Sequence, residues 1–131
     1  MTRKTFIAEY ARFMTLAIKL SNKALQQGID SLEGEIEDID DELFKQGLRF
    51  VADGTEPRII DEIMTNRIAH EKDKQRRILK TVQKRAVLGI QAGEKFRVFY
   101  HVLLSLPGLT PKEEKRIEEL VLLRDDIDEE A

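Results

Sequence analysis

The chain has 131 residues and no cysteine, so it is the size of one ordinary domain and must be held by packing, without disulfides or thiolate metal sites. Its formal charge is −3, from 22 Lys+Arg against 25 Asp+Glu, and the interleaving of the two signs argues against gripping nucleic-acid backbone as a primary role. Glu9, Arg12 and Lys19 interrupt the start too early for a signal peptide, and the longest uncharged run, 98–111, is about 14 residues where a spanning helix needs ~20. A soluble cytoplasmic protein is expected.

Taken in chain order, Phe6, Tyr10, Phe13, Ala17, Leu20 and Ala24 recur at alternating steps of four and three, the spacing of one helical stripe. This predicts a long amphipathic first helix over about 5–27, stopped by Gly28, with its near-heptad stripe a candidate surface for homo-oligomer formation. Asp30 followed by Glu33 resembles a capping box that opens a short second helix through about Ile36. The acidic stretch 35–42 favours the N-terminus of a third helix, which carries Leu43, Phe44, Leu48 and Val51 and stops at Gly54.

Pro57 suits the first turn of a fourth helix, where its missing N–H costs nothing. Ile59, Ile60, Ile63, Met64 and Ile68 give that helix a buried stripe, and Ile78, Leu79, Val82, Ala86 and Val87 extend it, so one continuous helix is expected to about Ile90. Gly89 and Gly93 are candidate breaks. Phe96, Phe99, Tyr100, Leu103 and Leu104 read as a further helix, with a strand as the alternative because of their aromatic and β-branched content. Thr110, Pro111 and Glu113 open a last helix with Ile117, Leu120, Val121 and Ile127 on one side, before an acidic tail over 125–131. No repeat and no Gly/Ser or Pro-rich linker divides the chain. The expectation is an all-α fold: a single-domain array of five to six helices over 1–131.

One stretch resembles a known family. Within LSNKALQQGIDSLEGEIEDIDDELFKQGLRFVADGTEPRIIDEIMTNRIAHE come, in order, a small-residue helix, a Gly followed by a Leu-Glu pair, an acidic segment, a phenylalanine-containing helix and a Val-x-Asp-Gly-x-x-Pro turn. That order resembles the cytoplasmic part of MotA, the stator subunit of the bacterial flagellar motor, in the MotA/ExbB/TolQ family, over residues 17–70. The resemblance implies partners in the motor: the stator itself or the FliG-type switch protein. In the family an acidic residue five positions after the Gly and a basic one three before it make the rotor contact. Here the acidic position is Glu33, with Glu37 one turn on, and the basic position is Leu25. Lys23 lies nearby, but two residues on a helix rotate it by about 200 degrees. Glu33 is also the third residue of the capping box, and both readings stay open. The family's membrane-spanning helix after this segment has no counterpart, because Lys84, Arg85, Glu94, Lys95 and Arg97 interrupt the matching region.

The most distinctive charged feature is the run Lys72, Lys74, Arg76, Arg77, Lys80, Lys84 and Arg85, interrupted only by Asp73. It is either a solvated face balanced by the acidic 35–42 stretch or a partner surface on which Arg76, Arg77, Lys80 and Lys84 act. For the second case an acidic protein is favoured over anionic lipid and nucleic acid, because no aromatic residues for base stacking are interleaved.

His70 and His101 lie in different parts of the array and lack the paired Glu-x-x-His pattern of a bundle metal site. His101 is expected at the core or its boundary. Asp-rich stretches lack the spacing and glycine of an EF-hand, and no phosphate loop or nucleophile elbow is present. No metal, cofactor or catalytic residue is assigned. The sequence thus reads as a non-enzymatic adaptor or accessory component of the flagellar motor, peripheral at the inner face of the membrane. The alternative is a basic-helix regulatory protein that binds nucleic acid or an anionic membrane.

Overall fold

A computed structural model describes residues 1–122. The acidic tail expected over 125–131, and Ile127 with it, lies outside the described residues. Among those described, the fold is all-α: seven α-helices and one 3₁₀ turn, one or two helices more than the sequence predicts. α1 spans Arg3–Gln27 and is capped by Thr2, whose hydroxyl oxygen accepts from the Thr5 N–H at 3.0 Å. After Gly28 come the 3₁₀ turn Ile29–Leu32, α2 over Glu33–Ile36 and α3 over Glu42–Ala52. Then follow α4 at Pro57–Ala69, α5 at Lys74–Ala92, α6 at Phe96–Leu104 and α7 at Pro111–Leu122.

α1 is the central element. Phe6, Tyr10, Phe13, Met14, Ala17 and Ile18 are all at most 1% exposed, covered by α7, the 3₁₀ turn, α5 and α6. Phe13 meets Phe44 of α3 edge-on, with ring centroids 4.8 Å apart. The buried Tyr10 hydroxyl donates to the Leu103 carbonyl at the end of α6, and burial pushes its phenol well above the usual range. The stripe expected to drive self-association is therefore satisfied inside the chain, and Leu25 is the large apolar side chain of α1 left exposed.

The expected continuous helix over 57–90 is two helices. His70 closes α4, and the Asp73 carboxylate accepts the Arg76 N–H at 2.8 Å to start α5. The Arg77 guanidinium reaches back to donate to the Glu71 carbonyl at 2.7 and 2.9 Å, satisfying the connecting backbone. The chain folds back here, so α4 and α5 are antiparallel neighbours: Lys80 pairs with Glu71, Lys84 with Asp61, and the Gln91 amide donates to the Thr55 carbonyl. The apolar stripe continues in phase through 57–90 because both helices face the same core, where Ile60, Met64, Val82, Ala86 and Val87 are fully buried.

Two glycines set how closely these helices approach. A Cβ on Gly47 would lie 2.7 Å from a Val87 methyl and 2.9 Å from the Met64 sulfur, so α3, α4 and α5 meet where α3 has no side chain. Gly89, expected as a break, instead lies within α5, where a Cβ would lie 2.8 Å from the Phe99 ring. Gly93, with φ +69°, is the residue that ends the helix. Residues 96–104 are helical as read, and the Thr110/Glu113 capping box forms: each backbone N–H donates to the other side chain, at 3.0 and 3.1 Å.

Candidate partner-binding surfaces

Glu33 is the first residue of α2 and is exposed. The expected capping box with Asp30 does not form. The Glu33 N–H goes to the Asp30 backbone carbonyl instead and the Ser31 N–H to the Gly28 carbonyl at 3.1 Å, the i to i+3 bonds of 3₁₀ geometry, and the Ser31 hydroxyl also donates to the Gly28 carbonyl at 2.6 Å. Glu33 is thus not a cap, and among the described residues no cation pairs with it. Glu37, one turn on, is ion-paired with Arg49 at 2.9 Å. Together with Ile36, Ala52 and Asp53 they line a shallow depression of about 380 Å³ where α2 meets the end of α3. Lys23 does not replace the missing basic residue at position 25; it turns onto Glu35 at 3.2 Å.

The basic run divides in two. Lys80 pairs with Glu71 at 2.8 Å, Lys84 with Asp61 at 2.8 Å and Arg85 with Glu94 at 2.6 Å. The Lys80 hydrogen bond, aided by the Asp73 N–H, holds the Glu71 carboxyl below its ordinary range, and Lys84 does the same for Asp61. The neutralising acids are therefore Glu71, Asp61 and Glu94, not the 35–42 stretch. That stretch faces α1 and α3 instead: Glu35 meets Lys23, Asp41 meets Arg12, and Glu37 meets Arg49. Lys72, Lys74 and Arg76 are exposed and form no ion pair among the described residues. Among the described residues Arg77 is engaged by carbonyls and forms no ion pair.

The predicted set thus falls on two surfaces: Glu33 at the start of α2 and Glu37 just past its end, beside α3, and Arg76, Arg77, Lys80 and Lys84 on α5. His101 is exposed on α6, its ring edge-on to Tyr100, and not in the core. No group of three or more His, Cys, Asp or Glu among the described residues is arranged to hold a metal ion, and no described helix is long and apolar enough to cross a membrane.

One long-range cluster was not foreseen. The Arg3 guanidinium bonds to both Glu113 oxygens at 2.6 and 2.9 Å, and to the Gly108 carbonyl at 3.0 Å. The Arg3 hydrogen bond and the Thr110 N–H together lower the Glu113 carboxyl to about 2. A run of Leu, Pro and Gly was the only sequence signal that the α6–α7 loop forms part of a surface.

These helices define an all-α bundle carrying a MotA-like stretch. The chain is 44% identical over 45 residues to Motility protein A of Borreliella burgdorferi, covering 34% of this chain and 17% of that protein. It is 35% identical over 69 residues to Motility protein A of Treponema phagedenis, covering 53% of this chain and 27% of that protein. The chain thus spans about a quarter or less of the curated relatives it matches. No family profile and no solved structure matches.

Proposed function

We propose that this chain is a non-enzymatic protein-binding component of the flagellar motor, acting as one helical unit that presents a MotA-like edge to a motor partner. The observation that carries this reading is Glu33: it occupies the acidic contact position of the resembled segment, and it is exposed and forms no ion pair among the described residues. Such a carboxylate costs nothing to present to a basic surface, and charge complementarity there would set orientation and association rate. Glu37 contributes less, because Arg49 already compensates it. Leu25, exposed where the family carries a cation, would supply apolar contact in place of the missing charge. Stator proteins and a FliG-type switch protein are the partners to test, at the inner face of the membrane.

The alternative, a basic-helix binder of nucleic acid or anionic membrane, is weakened by the carboxylates already held by Lys80, Lys84 and Arg85. A pulldown of the native stator and switch proteins with the full chain tests the proposal alongside motility of a deletion strain. Recovery of either protein with impaired motility is expected. Recovery of neither, with motility unchanged, would refute it.

A further inference from the structure

The cationic start of α5 borders an apolar groove. A cavity of about 460 Å³ lies between the start of α5 and the α6–α7 loop, lined by Lys74, Arg77, Ile78, Thr81 and residues 106–108. Its floor is aliphatic, and Gly108 is part of its shape: at φ +107°, a Cβ there would lie 2.5 Å from the Ile78 Cδ1. Arg3 fixes the loop from behind through the Gly108 carbonyl. Four cations, Lys72, Lys74, Arg76 and Arg77, cluster at this end of α5 beside two acids, Asp73, which caps the helix, and Glu71, which pairs with Lys80.

We propose that this groove docks an acidic peptide segment of a partner protein, one that inserts an aliphatic side chain between Ile78 and the 106–108 loop and sets its flanking carboxylates against Lys74 and Arg77. An aliphatic floor beneath a cationic rim complements an apolar residue flanked by Asp or Glu. The concave shape favours a peptide over a flat anionic bilayer, and no aromatic side chain is among the residues lining the groove to stack a base. The inference rests on reading the chain as a protein-binding module and adds a second partner chemistry. The site lies at the Arg3 end of α1, whereas the Glu33 edge adjoins the Gly28 end, roughly 37 Å away along a 25-residue helix.

The test is selection of a random-peptide display library on the full chain, with the enriched peptides titrated against three variants. Enriched sequences should share an aliphatic residue flanked by Asp or Glu. Lys74→Glu, at an exposed first-turn position where an acid suits the helix, should weaken their binding about tenfold, equivalent to ~1.4 kcal/mol. Thr81→Trp, which sets an indole against the groove lining without changing its charge, should abolish binding, and Glu33→Lys should leave it intact. Peptides without acidic flanks, or binding insensitive to both groove variants, would overturn the proposal. So would phosphatidylserine vesicles binding through Lys74 when no peptide is enriched. Loss of the motor-protein interaction in Glu33→Lys, with peptide docking retained, would separate the two sites.

Discussion

Near Gly28, α1 meets segments that follow it closely in the chain: Lys23 pairs with Glu35, and the 3₁₀ turn packs back on the helix it leaves. At its other end Arg3 meets Gly108 and Glu113, more than a hundred residues away. The first end is built locally and leaves a carboxylate, Glu33, with no ion pair among the described residues. The second exists only once α5, α6 and α7 have closed, and it leaves cations and an apolar groove. Local construction makes the Glu33 edge legible as a sequence motif, whereas the groove is a product of tertiary packing and has no motif.

The largest expected effect removes both ends together. Phe44→Ala deletes the ring packed on Phe13 at the centre and should destabilise by about 3–5 kcal/mol, read as a lower denaturant midpoint with all probes moving together. Asp73→Ala tests whether the chain reversal between α4 and α5 depends on its cap. A loss of about 1 kcal/mol is expected, with faster amide exchange concentrated at the start of α5.

Arg3→Ala sharpens the comparison from the groove side. The pair is partly exposed, so the cost should be no more than about 1 kcal/mol, with amide exchange rising in the 106–113 loop and not near Glu33. Because Glu113 is lowered to about 2 when folded, below its unfolded value, its contribution is fully present above roughly pH 5 and lost as pH falls toward 2. Arg3→Ala should flatten that part of the stability–pH curve. The smallest stability effect belongs to Glu33→Lys, within about 0.5 kcal/mol of zero, because the side chain is exposed and forms no ion pair among the described residues.

Helix ends governed by nearby residues were legible: Gly28 as a stop, Pro57 at a first turn, and the reciprocal Thr110 and Glu113 cap. The break at 70–73 was not, because the stripe continues in phase on both sides and the connecting carbonyls are satisfied by Arg77 from further along the chain. The Asp30 and Glu33 spacing matched a cap that did not form, since the Glu33 N–H donates to the Asp30 backbone carbonyl and not to its carboxylate. The acids that neutralise the basic helix were misassigned because Asp61 reaches Lys84 only after the antiparallel fold-back. Of the candidate site, the resembled segment singles out Glu33 but leaves cap and contact both open, and the division of the basic run into cations with and without an ion pair among the described residues needed the folded chain.

The most direct measurement is a titration of the native switch and stator proteins with the full chain and with Glu33→Lys, repeated across ionic strength. The account predicts saturable binding by the unaltered chain that weakens with salt, and at least several-fold weaker binding by a variant of unchanged stability. Equal binding by both chains, independent of salt, would contradict it.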